Sequence, residues 1–202
     1  AIDSETFMRT HTELKKGTNP YFPTVILKLV STGNEKQCPF LNQQGCTVYE
    51  DRPTACRTYP LERAVDRRSE RGRPEDFYFL TNHDYCKGHH EPHQNTVKQW
   101  LRSQRLDQFN QMTDRWAEVE TLFGSNPWRG EGSGGPKQQM AFMVCYDIDS
   151  FRKFAEAQRL VDHYRLNREQ KKKIVGDDAE LLKFGFEWLK DMLGERSSLV
   201  RK

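Results

Sequence analysis

The sequence predicts an α+β fold: a small antiparallel sheet with cysteine-bearing loops, packed by several amphipathic helices. Three observations lead there. Short runs of β-branched and aromatic residues occur at Val25–Val30, Phe77–Thr81 and Met140–Tyr146. Apolar residues recur at threes and fours after Thr96 and again after Asp177. Three of the five cysteines fall between Cys38 and Pro60, in a stretch built from turn residues rather than from either periodicity.

Taken in order, Ile2 to Leu14 reads as a short helix capped by Asp3 or Ser4, with Phe7, Met8 and His11 on one side and Gly17, Asn19 and Pro20 after it. Pro23 to Val30 reads as a strand with Val25, Leu27 and Leu29 on one face. Ser31 to Lys36 is a polar turn carrying Gly33. Leu61 to Asp76 reads as a solvated loop, because Arg63, Arg67, Arg68, Arg71 and Arg73 are matched by Glu62, Asp66, Glu70, Glu75 and Asp76. Phe77–Thr81 is the expected sheet partner of Val25–Val30, and its end delivers Cys86.

One long helix is expected from Asn95 or Thr96 to Gly124. Thr96 and Gln99 have capping-box spacing, and Val97, Trp100, Leu101, Phe109, Met112, Trp116, Val119 and Phe123 form its buried stripe. The glycines between Asn126 and Lys137 read as a linker, since a phosphate-binding loop needs a strand before it and a helix after it. Met140 to Tyr146 is a third strand candidate, with Cys145 as a small buried hydrophobe inside it. Asp149 or Ser150 caps a helix to about Asp162 that turns Phe151, Phe154 and Ala155 inward. A short basic helix spans Asn167 to Ile174, and Asp177 opens a final helix that ends at Gly194. The organisation expected is a cysteine-cluster domain over 1–126, a linker over 127–137, and a strand with C-terminal helices over 138–202 packing on the same domain.

Bulk properties narrow the function classes. With 32 basic and 29 acidic residues the net charge is +3, so the chain lacks the electrostatic footprint of a nucleic-acid binder. Its longest apolar run is too short to cross a bilayer, and no signal peptide is seen, so no membrane insertion is expected. An odd number of cysteines without framework spacing points to a reducing compartment, the cytoplasm, rather than to a secreted disulfide scaffold.

The chemistry therefore rests on thiols. Gly45 precedes Cys46, Pro53 precedes Cys56, and Gly88 follows Cys86, so turns can bring distant sulfurs together. Cys38, Cys46, Cys56 and Cys86 suffice for a tetrahedral zinc site or one iron–sulfur cluster, although no C-x-x-C pair is present. Arg52, Arg57 and Lys87 stand beside them and are candidates to balance thiolate charge; pairing of Arg52 with Glu50 or Asp51 is the structural alternative. His83, His89, His90 and His93 surround Cys86, which leaves a mixed Cys–His site open.

The run CPFLNQQGCTVYEDRPTACRTYPL, with Cys86 and Gly88 and then Thr96, Val97, Trp100 and Leu101, resembles the bacterial YkgJ-like cysteine-cluster family, the CxxCxxCC zinc- or iron-chelating domain. The resemblance implies that Cys38, Cys46, Cys56 and Cys86 hold zinc or iron, an iron–sulfur cluster included, in a structural or electron-transfer role serving a protein partner. The family phrase follows an N-terminal CxxCxxCC block, which this sequence does not contain; thiols from such a block are expected to share the ligation. A second family reading is a relative of the flagellin lysine-N-methylases, which use S-adenosylmethionine. No glycine-rich strand–turn–helix supports a methyl-donor pocket.

Overall fold

The structure, a computed structural model, describes the chain apart from Ala1, Asn34, residues 69–73, Tyr85, Gly132 and Ser133, with Thr32 and Glu35 described in their backbone alone. It is α+β, helices accompanied by small antiparallel two-stranded sheets. The chain divides into two compact units, Ala1–Gln43 with Asp114–Lys202, and Gln44–Thr113. Among the described residues no helix is long and apolar enough to cross a membrane.

In the first unit, helix Ser4–His11 is capped by Asp3, whose carboxylate accepts from the Thr6 N–H at 2.7 Å. It stops short of the expected Leu14. The hydroxyl of β-branched Thr12 donates back to Met8 O at 2.6 Å, and the chain turns into strand Thr12–Lys15. That strand pairs antiparallel with Thr24–Leu27, Thr12 opposite Leu27. The expected pairing of this segment with Phe77–Thr81 is therefore overturned: a strand adjacent in sequence closes the shorter loop. Ser31–Lys36 is also more than a turn, since Val30–Thr32 pairs with Glu35–Gln37 around Gly33 at φ 64°.

The core of this unit gathers around Phe22. Its ring centroid lies 4.4 Å from Phe123, 5.9 Å from Tyr146 and 6.0 Å from Trp128. Tyr146 ends a helix, Pro136–Tyr146, where the sequence predicts a strand. A continuous apolar run does not separate a strand from a buried helix. What decides it is Pro136 at the first helical position, with the Glu131 carboxylate accepting from Lys137 N at 2.9 Å and Ala141 and Val144 buried three residues apart. Helix Ile148–Ala157 follows, capped by Asp147 rather than by Asp149 or Ser150. Asp149 instead accepts from the Ser4 N–H at 2.7 Å, which docks the first helix on this one. The helix ends before Asp162, because Arg159 adopts φ 50° and a 3-10 turn, Leu160–His163, continues.

Helix Arg168–Gly176 carries a capping box of Asn167 and Gln170, and Asp178–Met192 is capped by Asp177 as expected. The last helix buries Leu181, Phe184, Phe186 and Leu189. It also meets its neighbours at Gly185, where an added Cβ would lie 2.7 Å from Val144 Cγ1 and 2.8 Å from Phe151 Cε1.

In the second unit, Leu61–Asp66 pairs antiparallel with Glu75–Leu80, Leu61 opposite Leu80 and Asp66 opposite Glu75. The charged stretch expected as a solvated loop thus begins as a strand. Leu61, Arg63 and Val65 are half-buried while Glu62, Ala64 and Asp66 are exposed, a period of two that the charges hide. Arg63 bonds Asp76 at 2.7 Å; Glu70, Arg71 and Arg73 of the same cluster lie outside the described residues.

The expected long helix is two. Thr96 and Gln99 form the capping box of Val97–Ser103, Arg105 adopts φ 54°, and Leu106–Gly124 begins anew, its residues to Thr113 in this unit. The break coincides with a gap in the apolar stripe between Leu101 and Phe109, which fully buried Leu106 fills from the new helix start. The stripe is otherwise buried or half-buried, with Val97 exposed; Trp116 meets Phe186 of the last helix at 6.2 Å.

Candidate metal centre

Pro53 fixes the entry to the short helix Thr54–Thr58, whose first turn forms when Cys56 N and Arg57 N both donate to Pro53 O, at 3.0 and 3.1 Å. Trp100 anchors the end of that helix, its indole Nε1–H donating to Thr58 O at 3.1 Å.

The two arginines of the phrase serve the backbone. Arg57 is 7% exposed, and burying a guanidinium requires hydrogen-bond partners. Its Nε donates to Arg52 O at 2.8 Å, its Nη2 to Glu50 O, and its plane lies 4.6 Å over the Phe109 ring. Arg52 Nε donates to Tyr49 O at 2.8 Å and its Nη2 to Gln104 Oε1 at 3.0 Å, with the guanidinium 3.5 Å over Tyr49. These bonds tie residues 49–57 to the neighbouring helices. They go to carbonyl and amide oxygens, not to the carboxylates of Glu50 or Asp51.

The thiols are carried as follows. Cys38 lies in the first unit, half-buried after the Glu35–Gln37 strand, and its carbonyl accepts from Leu41 N at 3.1 Å. Cys46, Cys56 and Cys86 all lie in the second unit. Half-buried Cys46 follows Gly45, whose φ of 113° suits glycine, and Cys56 is exposed on its short helix. Cys145 sits in helix Pro136–Tyr146, where burial pushes its thiol well above the ordinary range.

Cys86 has the most developed surroundings. It precedes the 3-10 turn Lys87–His90, and its own N–H donates to His83 O at 2.9 Å. The Tyr59 hydroxyl donates to its sulfur, and so do the backbone N–H groups of Gly88 and His89; together they hold the thiol below its ordinary pKa. Tyr59 also lies 3.4 Å from His89 Nε2, while its ring stacks on His83 at 6.0 Å with an interplanar angle of 3°. A cavity of about 550 Å³ opens here, lined by Tyr59, Cys86, His89, Glu91, His93 and Trp100 among others. Sequence reasoning did not single out Tyr59; its signal was its place between Arg57 and Pro60 in the cysteine phrase.

Thiolates with imidazoles nearby suit zinc or iron in kind. The arrangement is another matter: among the described residues, no three His, Cys, Asp or Glu side chains stand together as a group that could hold one metal ion. Of the thiols, Cys86 is held below its ordinary pKa by hydrogen bonding with Tyr59, Gly88 and His89. No curated protein and no solved structure matches the chain. Residues 2–87 do match a family, described as "CxxCxxCC: Putative zinc- or iron-chelating domain". That span contains Cys38, Cys46, Cys56 and Cys86 and leaves Cys145 outside, so over the residues that carry the candidate ligands the chain matches the cysteine-cluster family its sequence resembles.

Proposed function

We propose that the chain binds zinc or iron through Cys46, Cys56 and Cys86 of the second unit, in the reducing environment of the cytoplasm. The observation that carries this reading is the cavity lined by Tyr59, Cys86, His89 and His93, within the span that matches the cysteine-cluster family and where hydrogen bonding with Tyr59, Gly88 and His89 lowers the Cys86 pKa. Thiolate ligands are commonly supported by such outer donors, which spread the negative charge that several sulfurs bring to one ion. The thiols sit on short turns and a five-residue helix, elements able to shift as ligation and local folding couple. Within this reading the metal is structural or an electron-transfer centre, an iron–sulfur cluster included, serving a protein partner.

The test is metal analysis and visible absorption of anaerobically purified protein, with Cys56→Ser and Cys145→Ser beside the unaltered chain. Bound zinc or iron should fall in Cys56→Ser and persist in Cys145→Ser. Equal metal content in both variants overturns the ligand assignment. A visible charge-transfer band would identify iron–sulfur, and a colourless zinc protein a structural site.

A further inference from the structure

A second cavity, of about 620 Å³, lies wholly within the first unit. Its walls are rings: Pro20, Tyr21, Phe22, Pro23 and Trp128. Phe22 and Trp128 are buried, while Tyr21 keeps 41% of its surface exposed. The loop that carries four of these rings is held by side chains from elsewhere in the unit. Asn19 Nδ2 donates to Glu120 O at 3.1 Å, and the Tyr146 hydroxyl donates to Pro23 O at 3.2 Å. Tyr21 O accepts from both Trp128 Nε1 at 3.1 Å and Gln138 Nε2 at 2.6 Å. Small-molecule sites are concave, mostly apolar and largely preformed, with volumes of roughly 300–1,000 Å³. This cavity has each of those properties, and none of the candidate metal ligands lines it.

The charge around it has one sign. Lys15 and Lys16 line the cavity, and among the described residues no Asp or Glu does. Lys15 pairs with Glu13 at 3.2 Å, whereas Lys16 makes no ion pair with a described residue. Glu131 of the adjoining loop is turned to Lys137, accepting from its N–H at 2.9 Å and pairing with its ammonium at 2.9 Å. That contact also occupies the first turn of helix Pro136–Tyr146, so Lys16 is the cation left for a ligand. The Tyr21 carbonyl, with two donors already, presents no unpaired acceptor to repel an anion.

We propose that this cavity binds a small aromatic carboxylate, its ring system against Pro20, Tyr21 and Trp128 and its carboxylate at the Lys16 ammonium. Aromatic and proline rings favour a flat apolar body, and the unpaired lysine supplies the polar group that fixes its orientation. An organic cation would find the same rings but also two ammonium groups and no carboxylate, so charge selects against it. This inference does not depend on the metal reading.

The test is titration of the nitrogen-15-labelled protein with naphthalene-2-carboxylate, naphthalene-2-carboxamide and 2-naphthylmethylamine, followed by amide and indole NMR shifts. The carboxylate should shift the Trp128 indole N–H and the Tyr21 and Gly130 amides saturably, at millimolar concentration or below. The carboxamide should bind about threefold more weakly, as loss of one partly exposed ion pair implies, and the amine more weakly still. Lys16→Glu should lower the affinity for the carboxylate at least threefold and abolish its advantage over the carboxamide. Tyr21→Ala should weaken both. Both side chains are exposed, and unshifted resonances elsewhere in the spectrum establish that each variant folds. No saturable shift at Trp128 and Tyr21 overturns the proposal, and so does an amine that binds as well as the carboxylate. A preference for the carboxylate that survives Lys16→Glu overturns it too.

Discussion

The Tyr59 hydroxyl lies 3.4 Å from His89 Nε2, and hydrogen bonding from it is the largest influence holding the Cys86 thiol below its ordinary pKa.

Tyr59→Phe removes that link and keeps the ring that stacks on His83. Cys86 then loses a donor, its pKa rises toward the ordinary value, and less thiolate is present at neutral pH. The higher intrinsic nucleophilicity of a more basic thiolate offsets part of this. Site-resolved mass spectrometry of iodoacetamide labelling at pH 7.5 should show Cys86 modified about two- to threefold more slowly. An unchanged rate at Cys86 would mean the hydroxyl does not act on the sulfur.

Arg57 holds the loop that carries Cys56. Replacing it by Met keeps an apolar stem over Phe109 but leaves the carbonyls of Glu50 and Arg52 without their donor. Loss of charged hydrogen bonds at a buried site costs about 2–3 kcal/mol. Urea unfolding should register that loss, and the Cys56 and Arg57 amides should exchange with solvent faster. Arg57→Lys should recover less than half of it, since one ammonium on a flexible stem does not reproduce the fork that reaches both carbonyls. Full recovery by lysine would show that charge alone matters there.

How far the sequence can be read depends on where the deciding interaction lies. Caps set by neighbours within four residues, at Asp3, Thr96, Asn167 and Asp177, are legible, and so is the last helix. Strand pairing is set by tertiary choice, so Thr24–Leu27 found Thr12–Lys15 where a distant partner was expected. In Leu61–Asp66 the dense charges masked a strand, because Arg63 hides its period by burying an aliphatic stem beside its ion pair. For the candidate site, the residue types and turn positions are legible. The work of Arg52, Arg57 and Tyr59 is not, because their partners are main-chain oxygens, Gln104, Cys86 and His89, reached only once the loop has folded.

Gly185 is a packing glycine in the last helix. In an exposed helix, Gly→Ala gains up to about 1 kcal/mol. Here the new methyl would press on Val144 and Phe151, both buried and without room to withdraw. Overpacking of this kind costs about 1–3 kcal/mol. Gly185→Ala should lower the melting temperature, and a rise would show that the helices separate at little cost.

Glu187 ties the C-terminal segment to the last helix and gives stability a dependence on acid pH. Burial alone would raise its pKa. The Lys190 ammonium at 2.7 Å and the Ser198 N–H at 2.6 Å outweigh that, and its carboxyl falls from an ordinary 4.5 to about 2. A carboxylate with a depressed folded-state pKa stabilises fully above its unfolded value. Its contribution fades as pH drops from 4.5 toward 2, while the unfolded chain takes up the proton first. The side chain is 12% exposed, so solvent screening is modest, and the shift corresponds to about 3 kcal/mol. Glu187→Gln should therefore destabilise the protein near neutral pH and differ little from the unaltered chain near pH 2. Chemical unfolding followed across that window measures the convergence. Two curves that stay parallel down to pH 2 would place the acid sensitivity on other carboxylates, of which Asp162 and Asp191 are also held below their ordinary range.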